Sequence, residues 1–175
     1  MRQLKYFLAL LVMSPVFCLA QTFSKEDTAK SKEIEISLTE LVSKAANNFE
    51  NLRGEKLSAD KAFIKYKTKG SPKMYAQQYS ITQSTGSQKY FYNIYYTEPH
   101  AMNLAIICLA NMTSVYEGDW VTTDANFSDK DLQGAWLRYK GSVVGQVITN
   151  SKEKTLSISI GVYNGETEWI KEEKN

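Results

Sequence analysis

The chain has 175 residues, of which 43% are hydrophobic, 12% aromatic and 23% charged, with a formal net charge of +2. This composition is that of an ordinary globular domain, and it excludes a disordered, collagen-like or low-complexity chain. A single His and two Cys also exclude the common Cys/His zinc sites. We therefore expect one domain, and we expect it to bind neither a metal nor another cofactor.

The first 20 residues have the pattern of a secretory signal peptide. Arg2 and Lys5 precede an apolar run, and Cys18 and Ala20 stand at the two positions that a signal peptidase reads. We predict cleavage after Ala20 and export to the periplasm or the extracellular space, with lipidation of Cys18 or a retained anchor as the alternatives. Cleavage would remove two of the 21 basic residues and leave 19, equal to the 19 acidic ones. This balance argues against a nucleic-acid-binding protein, and no stable membrane span is expected after cleavage.

The remainder of the chain divides into a tail and one domain. Residues 21–32 are polar and predict a flexible N-terminal tail, and residues 33–175 predict a single domain. Apolar residues then recur at three- and four-residue steps over 34–52, which indicates an amphipathic helix that ends before Gly54.

Three strands and a second helix are predicted next. The segments 62–68, 74–81 and 89–97 are rich in aromatic and β-branched residues and are bounded by Gly, Ser or Pro. A helix then begins at Pro99 and continues almost to Gly118. Because this helix is apolar nearly all round, we expect it to be buried on several sides.

The last part of the predicted domain repeats the pattern of a helix followed by strands. An acidic connection over 119–133 leads to three strands at 135–140, 143–149 and 155–163. The predicted element order is helix, three strands, helix, three strands. That order indicates an α+β fold, in which the helices pack on an antiparallel sheet.

Three features suggest chemistry, each with a simpler explanation beside it. His100 follows a carboxylate and is a candidate general base, although the sequence shows no nucleophile motif to accompany it. Cys108 lies in the most apolar stretch, which predicts a buried and unreactive thiol. Asp124, Asn126 and Ser128 have the alternate spacing of a calcium loop, but the rest of the EF-hand pattern is missing. Whether this connection binds calcium stays open.

The most unusual feature is a strand with aromatic side chains on both faces. An aromatic sheet face suits a protein or glycan partner, because tyrosine buries apolar area and keeps a hydroxyl for hydrogen bonding. A neighbouring strand has lysines along one side, which suit an acidic partner or else protect a sheet edge from aggregation. The predicted binding residues are Tyr90, Tyr92, Tyr95, Tyr96, Lys65 and Lys67.

These features together predict an exported binding or protein-interaction module without catalytic activity. Its partner would be a protein, a glycan or a small molecule in the cell envelope or outside the cell. One alternative is a carrier that holds a small ligand in a tyrosine-lined pocket between the sheet and the helices. A small metal-independent hydrolase is a less favoured alternative. The tyrosines would have no binding role if they only filled an amphipathic core with their hydroxyls at its rim.

Overall fold

The computed structural model describes residues 24–114, 118–125 and 127–163. The predicted signal peptide, residues 1–20, lies outside the described residues, so its cleavage and the export of the chain stay predictions. In chain order the helices and strands are α1 (Lys25–Ala45), β1 (Arg53–Ala59), β2 (Phe63–Thr68), β3 (Gln78–Ser84), β4 (Tyr90–Tyr96), α2 (Pro99–Ser114), β5 (Trp120–Ala125), β6 (Leu132–Tyr139), β7 (Ser142–Asn150) and β8 (Thr155–Gly161). A 3₁₀ turn, Glu50–Leu52, separates α1 from β1.

The predicted α+β class is confirmed. The described strands form one eight-stranded antiparallel sheet in the order β1-β2-β3-β4-β8-β7-β6-β5. Both helices share one core with this sheet: α1 contacts β4 and β8, whereas α2 contacts β4 and β5. Each half of the described chain is therefore a helix followed by a four-stranded meander. The two meanders join where β4 and β8 pair at the centre of the sheet.

The predicted count of three strands in each half was wrong, because β1 and β5 were missed. These two strands are the two edges of the sheet. Strand β1 reads RGEKLSA and is mostly exposed, and β5 lies within the segment predicted as an acidic connection. An edge strand borders water, so it does not need the apolar alternation by which a strand is recognised in a sequence.

Helix α1 begins earlier than its apolar stripe indicates. The Ser24 hydroxyl accepts a hydrogen bond from the Asp27 backbone N–H at 3.1 Å, and the Asp27 carboxylate accepts one from the Ser24 N–H at 2.9 Å. This capping box starts the helix at a polar sequence. Residues 25–32, predicted as a tail, accordingly form the first two turns of α1. At the other end, Phe49 reaches the core from a turn after Ala45, with its own φ at 52°.

The core lies between the helices and one face of the sheet. The inward residues of β8 are Leu156, Ile158 and Ile160, as their alternation predicts, and all three are fully buried. A smaller apolar cluster lies on the opposite face of the sheet, and it consists of Phe91, Trp136, Val143 and Tyr163. No helix in the part of the chain that the structure describes has the length and apolar character to cross a membrane.

Candidate functional site

The sheet has one face that no described helix covers, and we call it the helix-free face. Side chains alternate between the faces along each strand, so the faces follow from the strand register. Lys65 and Lys67 on β2 and Tyr95 on β4 lie on the helix-free face. The structure thus places three of the six predicted binding residues on the same face.

The tyrosines Tyr92 and Tyr96 lie on the opposite, helix-covered face and are 0% exposed. The Tyr96 hydroxyl donates a hydrogen bond to the Met74 carbonyl at 2.9 Å. The Tyr92 ring packs against Phe49, with 5.7 Å between ring centroids. Burial raises the pKa of both phenols, so they remain neutral. These two residues belong to the core, and a partner cannot reach them in this structure.

Tyr90 also faces the helix side, and its ring is already engaged. The guanidinium of Arg53 lies 4.6 Å from the Tyr90 ring centroid and 5.6 Å from that of Tyr66. The two tyrosine rings are 6.2 Å apart, so the guanidinium of the same chain contacts both rings from one side. One face of the partly buried Tyr90 ring is therefore already in contact with Arg53 on β1.

A row of polar side chains crosses the centre of the helix-free face. Ser80 on β3 lies opposite Asn93 on β4, Asn93 lies opposite Ser159 on β8, and Ser159 lies opposite Gln146 on β7. The Ser159 hydroxyl donates to the Asn93 side-chain oxygen at 2.8 Å, and the Asn93 amide donates to the Thr82 hydroxyl at 3.0 Å. This central polar row fixes three strands to one another by their side chains.

Aromatic residues border the central polar row. The Tyr163 ring lies 5.3 Å from Phe91 and 5.7 Å from Trp136 between centroids. Gln146, opposite Trp136 in the register, is 1% exposed, and its side-chain oxygen has no hydrogen-bond partner among the described residues. The four residues of the row are themselves only 1–9% exposed, so they form, with the aromatic side chains beside them, a buried layer that is partly polar. Because burying polar groups is costly, this layer is weaker than the apolar core on the helix side.

On the helix-free face the described strands other than the edge strand β1 contribute only positive charges, and on β1 the acidic Glu55 contacts Lys67. On this face of β2 to β8, the charged strand residues in the described chain are Lys65, Lys67 and Arg138. Strand β2 lies between β1 and β3, so the alternative that its lysines protect a sheet edge does not hold. Tyr95, 36% exposed, lies two strands away on β4. The arrangement offers two ammonium groups and a phenol to an incoming molecule.

His100 and Cys108, both on α2, each contact a residue of α1. The His100 Nε2 lies 3.3 Å from an Asp27 carboxylate oxygen, which links the starts of the two helices. The Cys108 thiol donates to the Ser31 carbonyl at 3.1 Å. Burial, with a smaller contribution from the charge of Glu35, raises the pKa of Cys108 to about 11. The thiol is therefore protonated near neutral pH and is a poor nucleophile.

The residues with calcium-loop spacing are not arranged as one loop. Asp124 lies in β5 opposite Ala135, and Asn126 lies outside the described residues. In the turn that follows, the Asp129 carboxylate accepts a hydrogen bond from the Asp131 N–H at 2.9 Å. Within the described ranges, no three His, Cys, Asp or Glu side chains are grouped to hold a metal ion.

A cavity of about 380 Å³ lies where α1, α2 and the start of β5 meet. It lies between the helices and the sheet, as the predicted pocket would, but among its described lining residues one is a tyrosine and none is a predicted binding residue. The described lining residues are Ser31, Glu35, Thr39, Cys108, Asn111, Met112, Gly118, Asp119, Trp120 and Tyr139. The chemistry of this lining differs from that of the predicted tyrosine-lined pocket.

Comparisons with known proteins do not identify a class for this chain. No protein-family model matches the chain, and neither a curated protein nor a solved structure does. The surfaces described above are therefore the basis for a function.

Proposed function

We propose that the chain is an exported binding module that holds an acidic, extended segment of a protein partner against the helix-free face. The observation that carries this proposal is the set of Lys65, Lys67 and Tyr95 on one face, where Arg138 adds a further positive charge and the acidic Glu55 of edge strand β1 is paired with Lys67. Complementary charge both selects and steers an acidic partner. The export of the module rests on the N-terminal sequence pattern alone.

The spacing of the two lysines favours an extended partner. Residues two apart on a strand point to the same side and lie roughly 7 Å apart, which is also the repeat of alternate residues in any extended chain. Lys67 already contacts Glu55, at 3.6 Å, but both side chains are about two-thirds exposed. Such an exposed pair contributes little, so a partner carboxylate competes for Lys67 at small cost.

Tyr95 supplies the apolar part of the contact. Burial raises the pKa of its hydroxyl, so the phenol stays a neutral hydrogen-bond donor near neutral pH. Its ring provides a large contact area that loses little conformational entropy on binding, as aromatic residues do at the centres of interfaces. A partner segment with an apolar or carbonyl group beside its acidic residues would satisfy Tyr95 and the lysines together.

Site-specific photocrosslinking tests this proposal in the cells that produce the full chain. A photoreactive phenylalanine replaces Tyr95 in one variant and Ile36 in the other. Ile36 is 54% exposed on α1, so it is accessible but lies on the other side of the sheet. We expect a covalent adduct from position 95 and none from position 36, with the crosslinked peptide rich in Asp and Glu. Equal adducts at both positions, or none at position 95, would contradict the proposal.

Charge reversal tests the role of the lysines. With the crosslinker at position 95, the pair Lys65→Glu and Lys67→Glu should lower the adduct yield at limiting partner about 2- to 30-fold, the range expected for losing two exposed ion pairs. The matched control is Lys152→Glu with Lys154→Glu, which makes the same charge change in the exposed β7–β8 turn. A similar loss in both double variants would mean that net charge alone, and not this face, attracts the partner.

A second candidate function is that of a small-ligand carrier, and the cavity between α1, α2 and β5 is the observation that favours it. Its volume lies at the lower end of the ~300–1,000 Å³ typical of ligand pockets. A ligand in this cavity would bind on the helix side of the sheet. Adding the ligand would therefore not change the yield of crosslinks from position 95.

A further inference from the structure

The cavity between α1, α2 and β5 is built from three separate elements. Ser31, Glu35 and Thr39 line it from successive turns of α1, at the four-residue spacing that places side chains on one helix face. Cys108 and Met112, both buried, line it from α2. Because its walls come from parts of the chain far apart in sequence, the cavity exists only in the folded protein.

Its aromatic wall consists of Trp120 and Tyr139, which lie opposite each other on β5 and β6. The two ring centroids are 4.9 Å apart and the rings are tilted by 48°. Trp120 is buried and Tyr139 is half-buried. Aromatic faces of this kind attract cations through their negative π-electron density.

The charged residues that line the cavity are both acidic. Glu35 and Asp119 are exposed carboxylates, and no Lys or Arg is among the described lining residues. Glu35 has no ion-pair partner in the described part of the chain. Asp119 has one in Lys140, at 3.8 Å, with both side chains about 60% exposed.

The contacts of Lys140 show that an ammonium group can bind near Tyr139 and Asp119. Its ammonium group lies 5.3 Å from the Tyr139 ring centroid while it pairs with Asp119. The protein therefore already holds one ammonium group close to both this ring and this carboxylate, on a side chain that is not among the described lining residues. Glu35, on the α1 side, offers a second carboxylate that has no such cation.

We infer that this cavity binds a small organic cation, in which an ammonium group is joined to a compact apolar part. The ammonium group lies near Glu35 and Asp119, and the apolar part contacts Met112 and the Trp120–Tyr139 wall. The site is separate from the helix-free face, so this inference does not depend on the proposed binding of a protein partner, and it names a ligand class for the cavity of the second candidate function. The two fail independently, because one is tested by ligand binding and the other by crosslinking from position 95.

Calorimetric titration of the full chain tests the inference with two probes, choline and phenethylammonium. The control is 3,3-dimethylbutan-1-ol, which has the shape of choline without its charge. We expect saturable binding of at least one cation with a Kd of roughly 1 mM or below, equivalent to about 4 kcal/mol, and no saturation by the alcohol. Equal binding of choline and the alcohol would overturn the inference, and so would a lack of binding by both cations.

Two double variants test whether the cation binds in this cavity. The double change Glu35→Gln and Asp119→Asn should raise the cation Kd about 3- to 30-fold, as expected for the loss of two partly exposed charge contacts. The control Glu40→Gln with Glu50→Gln removes the same charge from exposed positions outside the cavity. An unchanged Kd in the first variant, with an unchanged melting temperature, would place the cation elsewhere and refute the assignment.

Discussion

The central polar row should behave as a coupled unit, and a double-mutant cycle between Asn93 and Ser159 measures this directly. Asn93 is 6% exposed; its side-chain oxygen accepts from the Ser159 hydroxyl at 2.8 Å, and its amide donates to the Thr82 hydroxyl at 3.0 Å and to the Phe91 carbonyl at 3.3 Å. Asn93→Ala removes all three bonds and leaves the buried Ser159 hydroxyl without its acceptor. Ser159→Ala removes one bond and leaves an Asn93 lone pair unsatisfied.

The magnitudes follow from the number of bonds and the burial. A typical net hydrogen bond contributes about 1 kcal/mol, and an orphaned buried group costs about 1–3 kcal/mol. We therefore expect Asn93→Ala to lower the free energy of unfolding by about 2–4 kcal/mol, and Ser159→Ala by about 1–2 kcal/mol. The double variant should lose about 1 kcal/mol less than the sum of the two, since the second change removes a group that the first one orphaned.

Urea unfolding, followed by circular dichroism, provides the assay, with the slope compared among variants to establish two-state behaviour. Ser157→Ala is the matched control on the same face of β8, because its hydroxyl makes only a 3.5 Å contact with the Ile148 carbonyl. We expect that control to change the free energy of unfolding by less than about 0.5 kcal/mol. Strict additivity of the Asn93 and Ser159 changes would refute the coupled row, even if each change alone destabilised the protein.

Four further predictions test other parts of the structure. Ser24→Ala should lower the free energy of unfolding by about 1 kcal/mol in urea titrations, because it removes the N-cap of α1; no change would mean that the helix begins elsewhere. The hydrogen bonds of Ser24, foremost its backbone N–H, lower the pKa of Asp27, so the stability they contribute is present above the normal aspartate pKa and is lost as the pH falls through the lowered value. Asp27→Asn should accordingly flatten the acid side of the stability profile. The Cys108 thiol, with its pKa raised to about 11, should react with a thiol reagent at pH 8 only after unfolding, and rapid labelling of the native protein would contradict its burial. Gly161→Ala should cost about 1–3 kcal/mol in urea, as overpacking does, because an added Cβ would lie 2.8 Å from the Tyr90 backbone oxygen; unchanged stability would show that the strands shift at low cost.

The alternation of strands β4 and β8 could be predicted from the sequence, because it depends only on neighbouring residues in one strand. It correctly grouped Tyr90, Tyr92 and Tyr96 on one face and Tyr95 on the other. The sequence could not show which of these faces the helices cover, since both are aromatic. That choice depends on where the helices lie across the sheet: it buried Tyr92 and Tyr96, and it left Tyr95 as the most exposed of the four.

Two features of the candidate site had no local signal at all. The central polar row joins Asn93 to Ser159, 66 residues apart, and polar residues at single strand positions resemble ordinary surface residues. The wall of the cavity likewise combines Glu35 on α1 with Trp120 on β5, which come together only when both helices pack on the sheet.

By itself, the sequence determined the α+β class, the two helices and the inner strands, because burial imposes a periodic apolar pattern on each of those elements. Only the tertiary structure decided the edges of the sheet, where water relaxes that pattern for β1 and β5. The tertiary structure also decided that Lys65 and Lys67 do not lie on an edge strand, because β1 pairs with β2. Strand order and helix placement arise from contacts between distant segments, and no short stretch of sequence contains them.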